Sequence, residues 1–331
     1  MKIFTKFGKL SMIIKNIADK IIHKLQNSEK YKMAKRKILM DDTRRELSKH
    51  GTETFPMTVS HDDLWAFEGK TVPIHWHDDL EINLLREGMA VFQVYQKSYS
   101  VRPGEGFLLN RNVPHSCNSP VNEHVRYSTI LVRPDFLYGD FGSDIERNCF
   151  RPFLQNSAVP CIHLTASDEN GKEILEKLNQ VEEVFDWKPF CYELKIRGLL
   201  CEAFSMILSD HQRELKKFVP ANQQELERLE VMLNYLNTHF ESVISLQELA
   251  DQVHLSREVC CRLFKKMTGK TITGYLEEYR ADKSLPLVQS GQYSMTQIAE
   301  MVGFSNPSRF ASAFRKNFGC NPKTYNKTRK D

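Results

Sequence analysis

No apolar run in this chain approaches the ~20 residues that a membrane-spanning helix needs. A Cys-x-x-Cys pair is also missing, which argues against a zinc ribbon or a thioredoxin-type redox motif. The eight cysteines are few for 331 residues and irregularly spaced. That usage fits reduced thiols in a cytoplasmic protein better than a disulfide scaffold. No low-complexity tract is present, and 20 Phe with 11 Tyr exclude wholesale disorder. Charge of one sign is lacking too, with 46 Lys and Arg against 42 Asp and Glu. What remains is a chain long enough for about two domains, each with its own core.

The balanced total hides three unlike blocks. Residues 1–40 carry 11 basic and 2 acidic side chains, residues 41–220 carry 20 and 28, and residues 221–331 carry 15 and 12. An acidic middle beside a basic C-terminal part suggests that one end alone meets a polyanion. In the first block, Ile13, Ile14, Ile17, Ile21, Ile22 and Leu25 share one helical face flanked by lysines. No secretory cleavage pattern follows it. Residues 1–40 are therefore expected to be a loosely ordered basic extension without stable membrane association.

Between 54 and 132 the pattern changes to short β-type segments separated by turn residues. Strands are expected over 55–60, 81–85, 90–95, 98–102, 106–109 and 127–132, with turns at Gly88 and Pro103-Gly104. Such spacing predicts a small barrel or sandwich across 41–165. Two helices should follow within 166–212: one over 168–185 capped by Ser167, and one over 190–211. The second is apolar on two faces, Leu194, Cys201, Phe204 and Leu208 on one and Ile196, Leu199, Ala203 and Ile207 on the other. This implies burial on two sides, the second against another subunit. The polar stretch 213–224, with Pro220, reads as a linker that few contacts should cross.

The last 107 residues contain a repeat. Ser245-Leu-Gln-Glu-Leu-Ala-Asp-Gln-Val253 aligns with Ser294-Met-Thr-Gln-Ile-Ala-Glu-Met-Val302. After a one-residue insertion, Phe264, Lys266, Gly269 and Tyr275 align with Phe314, Lys316, Gly319 and Tyr325. Each copy opens with a capping box, Ser245-x-x-Glu248 or Ser294-x-x-Gln297. Ser256 and Ser305 should then cap a second helix, closed by Gly269 and Gly319. A short helix, a tight turn and a capped helix form the helix-turn-helix plan, here in two copies. The second helices carry Arg257, Glu258, Arg262, Lys265 and Lys266 in one copy, and Asn306, Ser308, Arg309, Ser312, Arg315 and Lys316 in the other.

With these residues in order, 225–331 resembles the double helix-turn-helix domain of AraC/XylS-type regulators. The match runs through Ile298-Ala299-x-x-Val302-Gly303-Phe304-Ser305 and on to Phe310, Phe314-Arg315-Lys316, Gly319, Pro322 and Tyr325. The resemblance implies a helix over 272–289 joining the two units, with their recognition helices about 34 Å apart on double-stranded DNA. It also implies base contacts from Glu258, Cys261 and Arg262, then Ser308, Arg309 and Ser312. Lys265, Lys266, Arg315 and Lys316 are placed to meet phosphates. Three departures stand out. Pro286 should kink or end the joining helix, Ser312 stands where many relatives carry Arg, and Cys260 replaces a usual Leu.

In the barrel, Gly69-x5-His75-x-His77-x3-Glu81-x6-Gly88 resembles the first cupin motif, and Pro103-Gly-Glu-Gly106 with Pro114-His115 resembles part of the second. His75 and His77 share a face on an extended strand, and Glu81 has matching parity. With His115 they form a candidate site for a divalent metal such as Fe, Mn, Ni or Zn. Two other readings of the same residues remain open. One is a polar effector pocket of His75, His77, Glu81, Asn83, His115 and Tyr127; the other is a set of hydrogen-bonded core histidines.

The fold class implied is multidomain β plus α: a cupin-like β-barrel with a helical dimerisation segment, then an all-α double helix-turn-helix domain. The function implied is a cytoplasmic, homodimeric, effector-controlled transcription regulator rather than an enzyme. Its rivals are a metal-dependent cupin enzyme with an accessory DNA-binding domain, and a constitutive DNA binder whose barrel only dimerises.

Overall fold

The computed structural model describes residues 36–120, 123–217 and 223–327. The amphipathic stretch 13–25 lies outside them. Nine strands form two antiparallel sheets. They are β1 (Met57–Asp63), β2 (Thr71–His75), β3 (Leu80–Glu87), β4 (Ala90–Val94), β5 (Lys97–Val101), β6 (Gly106–Leu109), β7 (His115–Asn118), β8 (Arg126–Val132) and β9 (Cys161–Leu164). One sheet has the order β1-β8-β3-β6-β9 and the other β2-β7-β4-β5. The alternation in β3 shows how they pack: Ile82 and Leu84 join the core under the helices, while Glu81 and Asn83 take the opposite face. Phe92, Val94, Phe107, Leu109 and Tyr127 fill the space between the sheets.

Strands β2, β7 and β9 are additions to the expected set. Each is short, and β2 and β7 hold His, Ser, Asn and Pro, which carry little strand signal on their own. Residues 36–40 were grouped with the basic extension, yet they are held on the barrel. Arg36 donates its backbone N–H to Ala66 O at 3.0 Å, and its guanidinium pairs with Asp62.

The helical segments that follow β8 and cover the five-stranded sheet include α1 (Pro134–Tyr138), a π-helical turn (Glu146–Phe150) leading into α2 (Arg151–Leu154), α3 (Glu169–Trp187) and α4 (Tyr192–Asp210). Asp168, not Ser167, caps α3, its carboxylate accepting from Gly171 N at 2.7 Å. Ser167 is occupied by the Thr165 hydroxyl. Helix α4 buries one broad stripe, Ile196, Leu200, Ala203, Phe204, Ile207 and Leu208, and leaves Leu194 73% exposed. Part of the expected linker is itself helical. Segment α5 (Gln212–Lys216) turns Leu215 into the core.

The C-terminal part holds two helix-turn-helix units. The first comprises α6 (Gln223–Thr238), α7 (Leu246–Gln252) and α8 (Arg257–Thr268). Helix α9 (Ile272–Ser290) joins them, its first half packing with the first unit and its second half with the second, which also comprises α10 (Met295–Met301) and α11 (Pro307–Phe318), followed by α12 (Pro322–Lys327). Their starts differ. Ser294 and Gln297 make the complete reciprocal box, whereas Ser245 only accepts from Glu248 N, at 3.5 Å. The Glu248 carboxylate takes the Tyr235 hydroxyl instead. Ser256 caps α8 as expected. Asn306, rather than Ser305, caps α11, because Pro307 occupies the first helical position, where a missing N–H is harmless. Helix α9 continues through Pro286. Ala281, Ser284, Leu285 and Val288 around it are fully buried, and that packing outweighs the ~3 kcal/mol that an internal proline costs.

Contacts do cross between the sheet domain and these units. Arg44 is buried and donates from Nε to the Tyr275 hydroxyl at 2.9 Å, with its guanidinium 5.0 Å from the Tyr279 ring centre. Tyr275 donates in turn to Asn237 Oδ1, and Asn237 Nδ2 donates to Asp42 O at 2.7 Å. Ile74 of β2 packs within the apolar core of the first unit.

Candidate effector site and nucleic-acid interface

The β2–β7 pairing sets His75 directly opposite His115, and β3 brings Glu81 beneath them. His77 follows just past the end of β2. Each imidazole gives one nitrogen to the backbone: His75 Nδ1 to Pro73 O at 2.9 Å, His77 Nδ1 to Asp79 O at 3.1 Å, and His115 Nδ1 to Val113 O at 2.8 Å. Read as donors, these nitrogens leave Nε2 of each ring for partners within the cluster. His77 Nε2 lies 2.8 Å from Glu81 Oε2. His115 Nε2 lies 3.2 Å from the same oxygen, at ion-pair distance but outside hydrogen-bond geometry. One ligand atom from each of the four residues falls within 4.8 Å of the others.

The electrostatics follow from burial. Burial alone would raise the Glu81 carboxyl, but the His115 and His77 rings hold it well below the carboxylate range. Burial, reinforced by His115 and His77, pushes His75 down to about 3 and so keeps it neutral. Asn83 buttresses the carboxylate, donating to Glu81 Oε1 at 2.7 Å, and accepts from the Thr129 hydroxyl. Burial lifts the Tyr127 hydroxyl well above its usual range, with Cys117 and Glu81 adding to the effect. All six residues expected to line a pocket are buried. Leu109 stands opposite Glu81, Phe107 opposite Asn83 and Val94 opposite His115. A cavity of about 1290 Å³ lies elsewhere, between the sheet domain and the C-terminal units, lined by Lys70, Ile74, Lys270, Lys316 and Phe318 among others.

A second group, His61 with Glu182 and Asp186 on α3, also satisfies ligand spacing. Its members are already paired, Glu182 with Arg86 and His61 with Ser128 and Asp186.

On the C-terminal units, Arg257, Glu258, Arg262, Lys265 and Lys266 of α8 are exposed and Cys261 is half-buried. Asn306, Ser308, Arg309, Ser312, Arg315 and Lys316 are exposed on or beside α11. Spacing of three and four residues puts Glu258, Arg262 and Lys265 on one stripe, and Ser308, Ser312 and Arg315 on its counterpart. Three of the named residues have other attachments. Lys266 pairs with Glu225 at 2.6 Å, Arg309 pairs with Glu277, and Lys316 reaches the interdomain cavity. Cys260 is core, its Sγ 3.4 Å from Met232 Sδ.

Arg44, Glu225 and Glu277 were not foreseen. Arg44 follows Asp41-Asp42-Thr43 in a stretch without periodicity, and the two glutamates read as ordinary exposed positions of amphipathic helices.

Comparison with known proteins agrees with both halves. Residues 64–161 match the AraC-like ligand binding domain, and residues 249–328 match a helix-turn-helix domain. The chain is an AraC-type transcription regulator. It is 26% identical over 291 residues to the uncharacterized HTH-type transcriptional regulator YdeC of Bacillus subtilis (strain 168), covering 88% of this chain and 98% of that one. With the probable transcriptional regulator LumQ of Photobacterium leiognathi it shares 26% identity over 260 residues, 77% of this chain and 92% of LumQ. The transcriptional activator RhaS of Escherichia coli O9:H4 (strain HS) is 34% identical over 105 residues, 30% of this chain and 38% of RhaS. The AraC-type regulator thus has an N-terminal ligand-binding domain and a DNA-binding helix-turn-helix region. Among the described residues, no helix is long and apolar enough to cross a membrane.

Proposed function

We propose that the ligand sensed by this regulator is a divalent metal ion held by His75, His77, Glu81 and His115. The observation that carries this is the convergence of three Nε2 atoms, each imidazole anchored through Nδ1 to a backbone carbonyl, around one buried carboxylate. A core histidine set would hydrogen-bond both ring nitrogens to the protein, whereas His115 Nε2 faces the Glu81 carboxylate, 3.2 Å away and out of hydrogen-bond geometry. Three imidazoles with one carboxylate suit Fe, Mn, Ni or Zn. Asn83 and the three backbone carbonyls supply the outer contacts that orient such ligands.

The regulator acts in the cytoplasm as a homodimer, and the exposed apolar residues Trp187, Phe190 and Leu194 around the α3–α4 turn support pairing of two copies there. Bases are read by Glu258, Cys261 and Arg262 in the first unit and by Ser308, Arg309 and Ser312 in the second, with Arg257 and Asn306 as further DNA contacts. Lys265, Lys266, Arg315 and Lys316 serve phosphates. The units are joined to the sensor through 213–224, with 41–165 the barrel, 166–212 the pairing segment and 225–331 the DNA-reading part. An enzymic role is disfavoured because the relatives of this chain are named as transcription regulators.

The test is metal content and thermal stability of the full chain, before and after chelation, with His77→Gln alongside. Retained metal near one per chain, a melting temperature that falls on chelation, and loss of both responses in His77→Gln are expected. Identical melting of wild type with and without chelator, and no metal in either protein, would sink the assignment.

A further inference from the structure

Glu277 lies on α9, one turn before Arg280, and pairs with Arg309. Its Oε1 receives Arg309 Nη2 from the recognition helix α11. Arg280 is fixed independently, donating from Nε to Phe240 O and from Nη2 to Ser242 O, both at 2.7 Å. Burial and the Arg309 charge depress the Arg280 guanidinium, and Glu277 opposes them. The two arginines therefore sit close enough to repel each other, and Glu277 is the anion that pairs with Arg309. Arg309 is the more exposed partner, with 59% of its side chain accessible against 34% for Glu277. The anion is thus the better-packed end of the pair.

As a contribution to stability, an ion pair this exposed is worth little. Its consequence for direction is larger. An arginine reads a guanine edge with a planar fork, so discrimination depends on where the fork points. Without Glu277, Arg309 would be driven from the immobile Arg280 and would swing freely toward the nearest phosphate.

We infer that Glu277 is a positioning residue for sequence discrimination: it holds Arg309 in the base-reading direction and denies it to non-specific phosphate contact. This rests on the assignment of Arg309 as a base reader given above. The first unit has a parallel in Lys266 and Glu225, but an ammonium group has no fork to orient, so the directional role belongs to the second unit alone.

The experiment uses the full-length chain. A duplex enriched by the wild type from a randomised library is the specific probe, and a shuffled duplex of equal length and composition is the non-specific one. Glu277→Gln is expected to weaken binding to the enriched duplex about three- to fivefold and to strengthen binding to the shuffled one about twofold, so their ratio falls about tenfold. Glu277→Asp should restore most of the ratio, and Glu277→Gln in an Arg309→Ala background should change it little further. Melting temperature is measured throughout and should move little in any variant.

If no duplex is enriched, or Arg309→Ala leaves the ratio intact, the base-reading assignment fails and the inference with it. If Arg309→Ala lowers the ratio while Glu277→Gln leaves it unchanged, the inference alone is overturned. Equal changes on both duplexes, or a loss that tracks melting temperature and is not rescued by Asp, would likewise reduce Glu277 to a general charge or a structural contact.

Discussion

The two helix-turn-helix units are copies in sequence and unequal in placement. The first shares its core with the sensor. Ile74 packs among its apolar residues, Arg44 is buried against Tyr275 and Tyr279, and Asn237 holds the backbone of Asp42. The second builds its core from its own residues, Leu285, Val288, Ile298, Val302, Phe310 and Phe314 among them. It meets the sensor near Gly69, where an added Cβ would lie 3.6 Å from the Phe318 ring. Repetition of a motif thus fixes the local plan of each copy, while the surface on which a copy rests decides what it is coupled to.

The comparison breaks most sharply at Arg44. Arg44→Ala removes a buried cation together with its hydrogen bond and ring contacts, and should cost about 2–4 kcal/mol in denaturant unfolding. Phe318→Ala, its nearest equivalent on the second unit, should cost about 1–2 kcal/mol because the ring is only partly buried. Equal losses would show that the two units lean on the sensor alike.

A matched pair of glycines gives a cleaner contrast. Gly269 and Gly319 both end recognition helices in the left-handed region, at φ 71° and 75°. A Cβ at Gly269 would lie 2.5 Å from Tyr95 O and 2.8 Å from Gln93 Nε2, whereas one at Gly319 would meet nothing within 4 Å. Gly319→Ala should therefore cost only the ~1 kcal/mol of the left-handed conformation. Gly269→Ala should cost that amount and more, and should also loosen the first unit from the β4–β5 turn. Proteolysis near 217–223 would read the loosening.

Caps offer a smaller and inverted difference. Gln297→Ala breaks a two-sided box and should destabilise by about 0.5–1 kcal/mol. Glu248→Ala leaves its serine cap intact and should stay within about 0.5 kcal/mol. A pH-dependent difference concerns Asp282 on α9, which accepts from Asn317 Nδ2 of the second unit. Burial, with Glu278 adding, pushes its carboxyl from 3.8 up to about 7. Because the folded value exceeds the unfolded one, its stabilising contribution is complete below about pH 4 and is lost as pH rises through 7. Relative to Asp282→Asn, the wild type should melt at a higher temperature at pH 5 than at pH 8; a constant difference would place Asp282 in ordinary solvent.

Much of this was legible in the residues, for reasons that differ by region. Repeated serine caps, buried alanines at 250 and 299, and glycines at 269 and 319 made the helix-turn-helix plan readable, because capping and close helix approach are local demands. The cluster at His75, His77, Glu81 and His115 was readable as far as parity goes. That its surroundings are filled by Phe107, Leu109 and Val94 follows from strand register, which the sequence does not print. Pro286 misled because its local cost is real, but the burial of Leu285 and Val288 exceeds it. Arg44 and Glu277 gave no signal, since each owes its role to a partner more than thirty positions away.

The seating of Gly269 on the β4–β5 turn also bears on how such regulators can be recombined. A chimera cut within 217–223 would place a foreign first unit on Gln93 and Tyr95, where a glycine must meet them without a side chain. Residues 41–46, Ile74 and the turn at 94–97 therefore behave as part of the DNA-binding cassette although they precede it by more than a hundred positions. A functional exchange has to carry them along, whereas an exchange of the second unit has to match the sensor at Gly69, beside Phe318.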